Sequence, residues 1–127
     1  MQTTEIVERV QQRAELESSQ EAHNTVIALL ETLALRDLGE QRQDFATQLP
    51  KELGEMLTED TPEVKERFDA SEMVHRVAKQ LGVTLEESQS RTHAAFSVLM
   101  EAVSDGQVEK LLNTLSDDFA SYAGWDA

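Results

Sequence analysis

Phe68-Asp-Ala-Ser-Glu-Met-Val-His-Arg-Val-Ala-Lys-Gln-Leu-Gly82 carries the start, the stripe and the stop of one helix. Asp69 is a capping residue, because its carboxylate can accept a backbone N–H that the first helical turn leaves unpaired. Glu72, three places on, stands in the capping-box position, and Phe68 with Met73 has the spacing of a hydrophobic staple. Met73, Val74, Val77 and Leu81 recur at the interval of a helix with one buried face. Gly82 then supplies the residue that ends it. The stretch has an earlier copy. Glu5-Ile-Val-Glu-Arg-Val10 matches Glu72-Met-Val-His-Arg-Val77 sixty-seven residues ahead.

Beyond this stretch the match continues. His23 and His93, each followed by an apolar helix ending in Leu-Leu-Glu31 or Leu-Met-Glu101, correspond at a shift of seventy. Phe45, Leu49 and Leu53 correspond to Leu111, Leu115 and Phe119 at a shift of sixty-six. The shifts change only where loops absorb insertions, near Val83–Glu86 and Ser104–Gln107. Ser18-x-x-Glu21, Thr84-x-x-Glu87 and Ser104-x-x-Gln107 are further capping boxes. Gly39, Gly82 and Gly106 mark breaks, and Pro50 suits the first turn of a new helix. No segment alternates with period two.

The expectation is an all-α fold of about eight helices, in two tandem four-helix repeats packed as one pseudo-two-fold domain. Residues 1–127 form a single domain: repeat one at about 3–58, a charged linker carrying Pro62 at about 59–68, and repeat two at about 69–123. Each unit is too small to bury its apolar faces well alone, so the halves should pack on each other.

The segments Phe68–Gly82, Phe45-Ala-Thr-Gln-Leu-Pro-Lys-Glu-Leu53 and Leu112-Asn-Thr-Leu-Ser-Asp-Asp-Phe119 together resemble the prokaryotic family called domain of unknown function 2267. The resemblance runs from about Thr4 to Tyr122 and departs from the family pattern at Leu115-Ser116, where Leu-Pro is expected. It implies an all-helical domain of two similar halves, and it brings no established activity and no residue roles.

Composition narrows the function classes. The chain has 127 residues and no cysteine, so disulfides, thiolate nucleophiles and cysteine-ligated metal centres are excluded. The opening Met1-Gln-Thr-Thr-Glu-Ile has neither the basic nor the apolar region of a secretion signal. The longest apolar run, Val26–Leu30, is far too short to span a bilayer, and a cytoplasmic location is expected. Net charge is −14, spread over both halves. Such a surface repels phosphate backbones and anionic lipid, so neither nucleic acid nor membrane is an expected partner. The acidity suits solubility, a salty cytoplasm or a basic partner.

Three residues stand out as candidate functional positions: His23, His93 and Trp125. The histidines occupy corresponding places and lie at the margins of apolar faces, His23 in line with Ile27 and Leu30, His93 with Phe96 and Met100. They read either as a proton-sensitive or metal-binding pair or as half-buried polar caps on the core. Trp125, the one tryptophan, is either an anchor for a partner or a lid folded back beside Phe119 and Tyr122. Glu72-x-x-His75 has the spacing of a di-iron ligand pair, but the second such pair is missing because Gln20 precedes His23. The carboxylates suggest solvated charge, with Asp117 and Asp118 as first-turn acids. No glycine-rich phosphate cradle, calcium loop or nucleophile elbow occurs, so no catalytic residue, cofactor or metal is expected. The leading expectation is a non-catalytic interaction or regulatory module that binds a protein partner or itself, with Met56, Met73 and Met100 near its apolar faces. A small hydrolase or metal-dependent enzyme with a site between the repeats, and an acidic nucleic-acid mimic, are the alternatives.

Overall fold

Each of the four start signals opens a helix. In the computed structural model, which describes residues 1–125, Ser18, Asp69, Thr84 and Ser104 accept the N–H groups of Glu21 (3.2 Å), Glu72 (2.8 Å), Glu87 (3.1 Å) and Gln107 (3.2 Å). Eight helices follow among the described residues: α1 (Thr3–Arg13), α2 (Ser19–Leu35), α3 (Arg42–Gln48), α4 (Lys51–Thr58), α5 (Ala70–Leu81), α6 (Leu85–Glu101), α7 (Asp105–Leu112) and α8 (Ala120–Ala123). Short 3-10 turns at Gly39–Gln41 and Asp117–Phe119 lead into α3 and α8. The fold is all-α.

Only Thr84 closes the full reciprocal box. At α5 the Glu72 carboxylate turns instead to Arg76, at 2.8 Å. At α7 the box partners are exchanged with residues at the two ends of α3: Gln107 donates to Gln41, just before it (3.2 Å), while Gln48, its last residue, accepts the Ser104 N–H (2.7 Å). Gly82 ends α5 in the left-handed region, at φ +68, as its position in the sequence suggests. Gly106 differs from its expected role. It lies inside the first turn of α7, and the break before it is made by the Ser104 cap.

The two 17-residue helices, α2 and α6, form the centre. They are buried on most sides, so each pairs its own inward hydroxyls: Thr25 donates to Glu21 O (2.9 Å), Thr32 to Ala28 O (2.8 Å) and Ser97 to Ala94 O (2.9 Å). The remaining helices wrap this pair. α1 packs on α2 and α6, α5 on α6 and α2, α4 on α2, and α8 on α6, while α3 bridges α4 and α7. Apolar residues from both halves form one continuous cluster, with Ile6, Phe45, Leu57, Met73, Phe96 and Phe119 fully buried. The staple expected from sequence is seated in it, since Phe68 and Met73 are both buried there.

The end of the 59–68 stretch is tied down at Glu66–Phe68. Asp37 N–H donates to Glu66 O (2.7 Å) and Glu66 N–H to Leu35 O (2.8 Å), a single parallel bridge between the end of α2 and the linker. Arg36, only 4% exposed, donates from Nε to Phe68 O (2.6 Å) and from a terminal nitrogen to Asp37 O (2.5 Å). Arg76 crosses the Phe68 ring at 4.2 Å and grips both Glu66 oxygens at 2.8 and 3.0 Å. Arg67 pairs with Asp37 at 3.0 Å. Arg42 donates to the carbonyls of Leu57 and Arg36, so its charge neutralises the negative ends of α4 and α2. No helix of the described residues is long and apolar enough to cross a membrane.

Candidate functional site

The second half of α6, Ala94–Met100, is buried on every side, and His93, Ser97 and Glu101 recur along it every fourth residue. That spacing puts them in one row, facing the seam with α1. Arg13, in the last turn of α1, meets the row, donating to Ser97 Oγ (3.0 Å) and to Glu101 (2.6 Å). Arg9 reaches the same glutamate at 3.3 Å. At the head of the row His93 donates from Nε2 to the carbonyl of Gly124, 2.6 Å away. A carbonyl only accepts, so the proton must sit on Nε2 in this bond.

That bond holds the segment after α8 in the seam. The Trp125 ring lies 4.6 Å from the His93 ring, tilted by 52°, and the Arg13 guanidinium stands 5.7 Å from its centroid. Tyr122 meets His93 edge-on at 5.8 Å. Trp125 is half-buried and packs against the core cluster, the lid arrangement. Chemically, a backbone carbonyl is bound by an imidazole N–H, and an indole packs against both a histidine and a cation.

His93 and Trp125 are therefore brought together, and His23 is not with them. His23 borders an open depression of about 540 Å³ between the starts of α1 and α2, lined also by Thr3, Val7, Glu8, Ser19 and Gln20. Glu72 and His75 are engaged separately, Glu72 with Arg76 and His75 donating from Nδ1 to Ser71 O at 2.8 Å. Among the described residues no three histidine or carboxylate side chains cluster closely enough to hold a metal ion. Asp118 does more than open a turn, since it accepts the Ala70 N–H (2.9 Å) and so caps α5 from the far end of the chain.

Carboxylates displaced from their ordinary titration range have local causes. Asp37 is lowered by the Gly39 N–H and then by Arg67, Glu66 by Arg76, Glu87 by the Thr84 backbone and hydroxyl, and Glu52 by the Thr3 hydroxyl. Burial lowers the guanidinium pKa of Arg36 and of Arg42, while the Glu66 and Glu72 partners raise that of Arg76. These groups belong to the linker clasp and to helix caps.

Sequence reasoning missed Arg13 and Ser97 as parts of the seat. The signal was present in the four-residue spacing of His93, Ser97 and Glu101 about the apolar Ala94–Met100 stretch of α6. What it lacked was the partner helix, which lies eighty-four residues away from Ser97 in the chain.

The family model described as "Uncharacterized conserved protein (DUF2267)" matches residues 3–122. The chain belongs to the DUF2267 family. No curated protein matches it. The DUF2267 match takes in all eight helices but Ala123, and with them His23, His93 and Arg13. It stops at Tyr122, so Gly124 and Trp125, the seated part of the lid, lie beyond the span that defines this DUF2267 domain.

Proposed function

We propose that this chain is a non-catalytic, acidic protein-interaction module whose helical seams seat short aromatic peptide segments. One observation carries the reading: the α1/α6 seam already holds such a segment, with Gly124 on His93 and Trp125 against both His93 and Arg13. The same reading takes the chain as two copies of one four-helix unit, and polar contacts in register support it. Arg9–Glu5 recurs as Arg76–Glu72. The Thr3–Glu52 bond has its counterpart in Ala70–Asp118, and Arg13–Glu101 in Gln80–Glu31. With a net charge of −14, the partner is read as a protein, and the setting as the cytoplasm.

The test uses the full chain carrying Trp125→Ala, which empties the indole position, and an acetylated, amidated Tyr-Ala-Gly-Trp peptide. Followed by NMR, the His93 ring signals should shift saturably with a Kd of about 1 mM or tighter. The backbone amide signals of Arg13 and Ser97 should shift with them, and His93→Ala in the same background should abolish those shifts. A peptide ending in alanine that gives equal shifts, or no shift with the tryptophan peptide, would sink the reading.

A further inference from the structure

The α1/α6 seam has a counterpart, the seam between α5 and α2. Gln80 stands sixty-seven residues after Arg13, and Glu31 seventy before Glu101. The side-chain contact between Gln80 and Glu31 takes the place of that between Arg13 and Glu101. Following the same register, His23 replaces His93, Ile27 replaces Ser97 and Leu81 replaces Ala14. Where Trp125 lies in the first seam, the second has an open depression of about 240 Å³, lined by Asn24, Ile27, Gln80 and Leu81. It is smaller than the roughly 300–1,000 Å³ of drug-sized ligand pockets and suits a single aromatic side chain.

Among the described residues none closes this depression; Glu59–Pro62 border a separate one with Glu31 and Gln80. The residues in register with Tyr122–Trp125 are Met56–Glu59, and after Thr58 the backbone turns away to form the Asp37–Glu66 bridge. Ile27 and Leu81 are only half-buried, so an apolar floor faces solvent. That floor is more apolar than the occupied seat, having Ile27 for Ser97 and uncharged Gln80 for Arg13. The segment known to fit such a seam is the chain's own. It is held by α8, a helix of four residues, and by the His93, Arg13 and Tyr122 contacts.

We propose that the α2/α5 seam seats the Tyr122–Trp125 segment of a second copy of this chain, with Trp125 against Ile27 and Leu81 and Asn24 at the rim, giving head-to-tail self-association. The proposal rests on the interaction-module reading above. Seating in trans competes with seating in cis at a millimolar effective concentration, so the association is weak and appears only in concentrated protein. Because the contact is heterologous, it extends into chains unless a ring closes.

Sedimentation equilibrium of the full chain, between micromolar and millimolar concentrations, tests this. The expected result is a rise in average mass for the wild type and none for Trp125→Ala or for Ile27→Asp. Asn24→Arg, at an exposed position on the rim, blocks the depression without touching the core and should also stay monomeric. Mixing Ile27→Asp, which keeps a segment, with Trp125→Ala, which keeps a seat, should restore one-to-one pairs. A monomeric wild type at millimolar concentration overturns the proposal. So does equal pairing when the seat donor carries Ile27→Asp as well, since the segment would then be exchanging between α1/α6 seams. If the tetrapeptide binds at His93 while the wild type stays monomeric, this inference alone falls; if the tetrapeptide fails, the reading beneath it falls too.

Discussion

Gly54 sits inside α4, where a glycine normally costs stability relative to alanine by roughly 0.5–1 kcal/mol. Its neighbourhood reverses that sign. A Cβ at this position would lie 2.3 Å from the carbonyl oxygen of Ala46, part of the α3 backbone. Nothing flexible can yield, so α3 and α4 would have to separate, losing contacts around Phe45 and Leu53. Gly54→Ala should therefore lower the unfolding free energy by about 1–3 kcal/mol in urea melts. Gly106 is the control: it is also helical, and its added Cβ meets nothing within 4 Å. Gly106→Ala should raise stability by about 0.5–1 kcal/mol. The two glycines look alike in sequence, and only the distance to a neighbouring backbone separates them.

At the scale of an element, residues 59–68 look like a solvated linker because their composition is charged and includes Pro62. Most of them are exposed, Val64 at 85%, but the end of the stretch, Glu66–Phe68, is clasped through the bridge to Asp37 and the arginines around Phe68. Asp37 and Glu66 each titrate below their ordinary range, Asp37 mainly through the Gly39 N–H and Glu66 mainly through Arg76. A carboxyl whose pKa is depressed in the folded state binds protons less readily there than in the unfolded chain. Its contribution is complete above the ordinary carboxylate range near about 4 and is lost as pH falls through the lower folded value. Asp37→Asn should remove the contribution of this partly exposed group, about 0.5 kcal/mol at neutral pH. The difference in melting temperature between the variant and the wild type should shrink as pH falls from about 5 to about 3. A gap that stays constant over that range would show that the carboxylate charge contributes nothing.

For the whole molecule, the excess of 25 acidic over 11 basic residues sets the response to salt. Ion pairs such as Arg9–Glu5 and Arg76–Glu72 are partly exposed and weaken as salt screens them. Repulsion among the remaining carboxylates outweighs them, and its range shrinks from a Debye length of about 10 Å at 0.1 M to about 3 Å at 1 M. Self-repulsion opposes the compact state, so screening it should stabilise the fold. The melting temperature should rise by several degrees between low and high potassium chloride, roughly 4 °C for each kcal/mol gained. A fall would mean that the ion pairs outweigh the repulsion, and would remove salt adaptation as an account of the acidity.

The helices and their first turns are encoded in the chain locally. Capping is a contact between residues three apart, and a buried stripe repeats every three or four, so both can be read at Ser18, Asp69, Thr84 and Ser104 without any partner helix. Which helices face one another, and with that the functional geometry, is settled only by tertiary packing. The Arg13–Ser97, Arg36–Phe68 and Ser104–Gln48 bonds join residues between 32 and 84 positions apart. No local period encodes such pairings. The same cause gives the two histidines different surroundings. The backbone folds Gly124 and Trp125 onto His93, whereas after Thr58 it leads away to the Arg36 clasp.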